Sequence, residues 1–131
     1  MSDRRFKFAF EDEYAEVLGE SQTSDTSWSD KVVLVTSSFP AGDYLVGWSA
    51  ELYSSKTNNE CEAQVVVDGV GDPIFEGAHD RKSWLSCSGF GEVALTGNGV
   101  RTVRFQYRKS PDAVSQAAAY IRRASLKIRP L

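Results

Sequence analysis

The 131-residue sequence predicts an all-β fold, an antiparallel two-layered sandwich. Apolar residues recur at every second position along most of the chain, the spacing of half-buried strands. Short clusters of Gly, Pro, Asn, Asp and Ser separate those stretches. Only residues 110–119 offer a helical alternative, so no secure helix competes with the strands.

The first alternating stretch is 5–10, with Phe6, Phe8 and Phe10 on one face. Residues 14–18 are a weaker strand. The stretch 19–30 (GESQTSDTSWSD) is the most loop-like, and Trp28 should bring it back to the body of the protein. Residues 31–37 (KVVLVTS) form a continuous β-branched run. In 43–53, Tyr44, Val46, Trp48, Ala50 and Leu52 share one side. In 62–68, Ala63, Val65 and Val67 face inward, and Asp68-Gly69 makes a turn. Residues 82–85 and 90–96 are two shorter strands. In 100–108, Val103, Phe105 and Tyr107 oppose Thr102, Arg104, Gln106 and Arg108. The last strand, 119–128, changes phase. Ala124, Leu126 and Ile128 share a parity that Ile121 does not, so one extra residue, a β-bulge at Arg122-Arg123, is expected.

Residues 39–43 (FPAGD) read as a tight turn, and Gly97-Asn98-Gly99 suits a hairpin with positive φ. In 110–119, Ser110 could cap a helix with Pro111 in its first turn, and the alanines favour one. Its place between two strands expected to pair argues instead for a long hairpin loop. Eight or nine short strands in this order resemble an eight-stranded jelly roll more than an immunoglobulin sandwich, and no Cys, Trp, Cys trio has immunoglobulin spacing. The expectation is an antiparallel eight-stranded jelly-roll sandwich over residues 1–131, with 1–10 as an N-terminal arm.

Charge is unevenly placed. Residues 9–30 carry Glu11, Asp12, Glu13, Glu16, Glu20, Asp25 and Asp30 without a base. Residues 100–131 carry Arg101, Arg104, Arg108, Lys109, Arg122, Arg123, Lys127 and Arg129 against Asp112 alone. The net charge of -3 conceals this polarity, which can attract a second copy or a neighbour in a lattice. An acidic pI of about 5.2 argues against coating nucleic acid. The N-terminus has no apolar run suited to a signal peptide, and no stretch approaches a membrane span. Synthesis in the cytosol is expected. Two cysteines, Cys61 and Cys87, are too few for a disulfide scaffold and are expected to be free, half-buried thiols.

Catalytic and metal constellations are weak. His79, the single histidine, stands beside Asp80, but no GxSxG elbow supplies a nucleophile and three or four metal ligands are not at hand. It reads as a surface-loop residue. Glu11, Asp12 and Glu13 could hold a cation or flank a glycosidic bond, but a solvated acidic turn explains them. The glycines at 69–71 and 89–91 lack the GK[ST] of a phosphate loop. No enzyme, cofactor or metal is expected.

Three segments resemble a family of compact jelly-roll modules in tailed-phage virions, akin to tumour-necrosis-factor and C1q-like sandwiches. They are FPAGDYLVGW at 39–48, VVVDGV at 65–70, and AYIRRASLKI at 119–128. The resemblance covers residue 31 to the C-terminus. It implies a virion protein that decorates or cements the outer capsid surface, made in the bacterial host cytoplasm. Its partners would be further copies of itself, as dimer or trimer, and the major capsid protein, with no direct nucleic-acid or membrane contact. The alternative is a carbohydrate- or receptor-binding module of a tail fibre or baseplate, so a glycan partner stays open. A small hydrolase is remote.

The residues expected at interfaces follow from exposure and charge. Arg5, Phe6 and Phe8 belong to the arm. Trp28 and Trp84 lie near loops, where tryptophan serves as a contact anchor or a platform for a sugar. Trp48 has core parity. Arg104 and Arg108 project from one strand, and Arg123, Lys127 and Arg129 from the last. If those two strands pair, the five cations form a basic stripe, ready to dock on an acidic neighbour.

Overall fold

A computed structural model describes residues 12–114 and 116–131. The expected arm, with Arg5, Phe6 and Phe8, lies outside the described residues. Nine strands follow in order: β1 (Glu13–Val17), β2 (Ser21–Thr23), β3 (Ser29–Phe39), β4 (Gly42–Ser54), β5 (Cys61–Val67), β6 (Phe75–His79), β7 (Leu85–Leu95), β8 (Gly99–Lys109) and β9 (Ala119–Pro130). One sheet runs β1-β9-β4-β7, with β2 also on β9, and the other runs β3-β8-β5-β6. Every pairing is antiparallel. This is a jelly roll with nine strands among the described residues: β1 is the weaker strand expected at 14–18, and β2 follows it along the same neighbour. β1 pairs the C-terminal half of β9 and β2 its N-terminal end.

The break between β1 and β2 has a partner. Between Ser49 and Glu51 the register of β4 advances two residues while β9 advances three, from Ser125 to Arg122. The surplus residue is a bulge, and Arg123 within it has φ +52°. Arg123 N–H leaves the ladder and donates to Leu18 O at 3.0 Å, where β1 and β2 part. The bulge does what the phase change requires: Ile121, Ala124, Leu126 and Ile128 are all fully buried.

The inner faces of both sheets meet in one core that includes Val46, Leu52, Val65, Val103, Phe105, Ile121 and Leu126. Each such side chain contributes about 1.5–3 kcal/mol of burial. Phe39 and Tyr44 stack at 4.9 Å across the short link between sheets, and Tyr44 Oη donates to Pro40 O. On the β6/β7 side the inner face carries glycines. A Cβ on Gly77 would lie 2.6 Å from Phe75 Cζ, and one on Gly91 2.7 Å from Ile74 Cγ2. Their absence makes room for Phe75, stacked on Trp48 at 5.0 Å, and for Ile74. Trp48 packs against the core, as its parity predicts.

Several expectations change. β8 and β9 do not pair; they belong to opposite sheets, and the described residues among 110–118 cross between them in turns, with no helix among them. The glycine turn at 97–99 likewise joins β7 to β8 across the sandwich and is not a hairpin, although Gly97 has the positive φ expected, +67°. The stretches 82–85 and 90–96 merge into one long β7, which starts at Leu85. β2 lies inside the stretch read as loop, and β6 is an additional strand.

Candidate functional site

The two outer faces differ in how their charges are satisfied. On the β3-β8-β5-β6 face the guanidinium of Arg104 grips Asp68 at 3.1 and 3.2 Å and Asp30 at 2.7 Å. Asp68 and Asp30 together raise the Arg104 pKa further, so its charge is permanent. Asp30 also accepts from Gln106, whose Oε1 accepts from Gln64. Arg108 pairs with Glu62 at 2.7 Å and lies 4.2 Å over the Trp28 ring. Period two places these residues outward because their neighbours Val103, Phe105 and Tyr107 fill the core. Arg104 and Arg108 therefore meet acids on their own sheet.

The expected basic stripe does not form, because β8 and β9 lie on opposite faces. On β9, Arg122 pairs with Glu51 at 2.5 Å and covers Trp84 at 3.9 Å, while Arg123 reaches Glu51 at 3.4 Å. The Arg122 hydrogen bond, foremost, holds the Glu51 carboxyl below the usual carboxylate range. Trp84 also packs on Tyr53. Trp28 and Trp84 are thus each capped by a guanidinium and only half-exposed. Lys127 and Arg129 are different: neither forms an ion pair among the described residues.

Lys127 and Arg129 line a groove of about 760 Å³ on the outer face of the β1-β9-β4-β7 sheet. Strand register builds it in rows. One row is Tyr14, Lys127, Gly47 and Phe90, and the next is Glu16, Ser125, Ser49 and Ser88. The absent side chain of Gly47 opens the floor. A Cβ there would stand 3.0 Å from Lys127 Cε, so the lysine stem lies across β4 toward Phe90. Phe90 is 73% exposed and Tyr14 55%, one aromatic at each side of the groove. Tyr14 Oη donates to Glu16 Oε2 at 2.5 Å, and this acid raises the phenol pKa. Arg129, Leu45 and Glu92 make the flanking row.

Sequence reasoning placed Lys127 and Arg129 on the outer face but overlooked Tyr14 and Phe90. The available signal was parity: Phe90 is out of phase with Val93 and Leu95, an aromatic on the solvent side between two glycines.

The chemistry-bearing residues elsewhere are dispersed. His79 ends β6 opposite Cys61 instead of sitting in a loop, and its Nε2 is 2.6 Å from Ser83 O. Cys61 is buried and Cys87 half-buried, both free. Burial pushes their thiols up to about 12 and about 11, where a nucleophilic thiolate does not form near neutral pH. Among the described residues, no three of His, Cys, Asp and Glu come together as a metal site would need. No helix among them is long and apolar enough to cross a membrane.

A third surface is apolar. Val33, Val35 and Val100 are 42%, 60% and 59% exposed at the β3 side of the ion-paired face. Val33 is level with Arg104 and Val35 with Thr102.

No protein-family model and no curated protein sequence matches the chain. Solved structures similar to it include the CBM36-1 domain of a multidomain xylanase from the hindgut metagenome of Trinervitermes trinervoides, at 10% identity and TM-score 0.47, covering 92% of this chain and 98% of that one. Murine APRIL is similar at 12% identity and TM-score 0.46, covering 86% and 99%. The infectious bursal disease virus Gt strain structure is similar at 14% identity and TM-score 0.46, covering 92% of this chain and 33% of that one.

Proposed function

We propose that the protein is a non-enzymatic structural module of a tailed-phage virion, decorating or cementing the outer capsid surface. The observation that carries this reading is the valine ridge of Val33, Val35 and Val100, on a face where Asp30, Glu62, Asp68, Arg104 and Arg108 pair among themselves. Exposed apolar side chains grouped beside satisfied ions form a surface that gains by being covered. The ridge seats on a neighbour, either another copy in a dimer or trimer or the major capsid protein. An interface of about 1,600 Å² is ample for one specific contact, and repetition on a shell adds avidity. The phage setting and synthesis in the host cytoplasm rest on the sequence resemblance of the 39–48, 65–70 and 119–128 segments.

The test is rebinding of the purified full-length chain to shells that lack it. Val35→Asp should remove most binding while leaving the thermal melt close to that of the parent, because Val35 is already solvated. Undiminished occupancy by Val35→Asp would exclude the ridge. The second reading, a carbohydrate- or receptor-binding module of a fibre or baseplate, is favoured by one observation, the groove on the opposite sheet.

A further inference from the structure

We propose that the groove on the β1-β9-β4-β7 face is a binding site for an anionic glycan, a saccharide chain carrying carboxylate or sulfate groups. This goes beyond the capsid reading and does not depend on it.

Three features of the groove converge on that ligand class. The first is charge. Lys127 and Arg129 enter it without an ion-pair partner among the described residues, whereas Arg104, Arg108 and Arg122 are all matched by acids. Of the acids on this face, neither Asp12 nor Asp43 forms an ion pair among the described residues. Glu16 is held by the Tyr14 hydroxyl, and Glu92 stands two strands from Arg129, about 10 Å away by strand spacing. An ammonium and a guanidinium side by side bind one or two anionic oxygens with charge-assisted hydrogen bonds.

The second feature is the pair of rings. Phe90 and Tyr14 stand at opposite ends of one row, three strand spacings or about 14 Å apart. That distance accommodates two or three pyranose rings laid across the strands. The apolar C–H face of a pyranose packs on an aromatic ring as any amphipathic ligand does, with its polar edge left wet. Trp28 and Trp84 cannot offer the same platform freely, since guanidinium groups cover them.

The third feature is the floor. Ser125, Ser49 and Ser88 align in one row beside the rings, three hydroxyls that each donate and accept. Gly47 leaves room for the Lys127 stem to lie flat over β4, which carries its ammonium toward Phe90. A floor of hydroxyls under solvated aromatics suits a polyhydroxylated ligand better than an apolar protein segment, which would leave the serines unsatisfied.

The experiment is titration calorimetry on the purified full-length chain with trigalacturonate, a sulfated galactose trimer and neutral galactotriose. Binding of either anionic trimer, at least about tenfold tighter than the neutral one, is expected, since one charge-assisted hydrogen bond is worth about that factor. Phe90→Ala and Lys127→Met should each weaken that binding by about tenfold, and Val35→Asp should leave it unchanged. Methionine retains a stem over Gly47, and Phe90 is solvated, so both variants should keep the parent melt. No binding of either anionic trimer, equal binding of the neutral one, or equally tight binding of hexaglutamate would each overturn the proposal. Because the assay needs no shell, its failure leaves the capsid reading standing, and failure of shell binding leaves the groove intact.

Discussion

Replacing Arg123 with glycine should stabilise the protein. Arg123 sits at φ +52° in the β9 bulge, a left-handed conformation that costs an L-residue about 1–2 kcal/mol. Glycine adopts it without that cost but loses about 0.5–1 kcal/mol more chain entropy on folding. The side chain given up is two-thirds exposed and touches Glu51 only at 3.4 Å, a contact of negligible worth in water. The backbone bond from residue 123 to Leu18 O survives the change. The net gain is about 0.5–1 kcal/mol, or a rise in Tm of about 2–5 °C for a chain of this size. Thermal melts by circular dichroism measure it, with urea midpoints at constant slope as a second readout. Arg123→Ala is the control, since it removes the same ion contact and retains the strain, and it should give no rise. A glycine variant that melts at or below the alanine variant would refute the strain argument.

Gly77→Ala should destabilise by about 1–3 kcal/mol, because its new methyl would lie 2.6 Å from the Phe75 ring wedged between Trp48 and Phe105, whereas Gly71→Ala, with open space around it, should not; urea midpoints separate them. Thiol labelling with a disulfide reagent at pH 8 should track unfolding for Cys61, which is fully buried with its thiol near 12; a fast native burst from that residue, located by mass spectrometry, would contradict the placement. Glu51 is lowered by its Arg122 hydrogen bond, so the folded state binds this proton less readily than the unfolded chain. Its contribution is present above the unfolded value of 4.5 and disappears as pH falls through the folded one. Glu51→Gln should therefore flatten the acid limb of the stability-against-pH curve and leave the curve's shape near neutrality unchanged.

Period-two alternation located β4, β5, β8 and β9, because each packs one face on the core and turns the other to water, while a continuous β-branched run located β3. The same logic found the bulge, since a single surplus residue was the only way to bury both Ile121 and Ala124. Alternation says which side of a strand faces inward, but not which sheet receives it. That is why β8 and β9, adjacent in sequence and both strongly patterned, were expected to pair and instead face each other across the core. The partners of the arginines were hidden for the same reason. Asp30 is 74 residues from Arg104, and only the β3-β8 register brings them together. β6 escaped notice because Phe75, Gly77 and His79 make a poor apolar face, and β7 was split because Gly89 and Gly91 interrupt it. The groove draws one residue from β1, four from β4, three from β7 and three from β9, so no local stretch announces it.

The glycine-lined side of the sandwich has a dynamic consequence. β6 and β7 border each other without a shared ladder, and the space between them is filled by Trp48, Ile74 and Phe75. Parting these two edges disrupts ring contacts but no interstrand hydrogen bond. Amide exchange should therefore begin along this seam, well before the β8 and β9 amides at the centres of their sheets give up their protons. The opposite edge is tied differently: there Ser37 N–H donates to the Glu13 carboxylate at 2.8 Å, a polar link between β1 and β3 that the glycine-lined seam lacks.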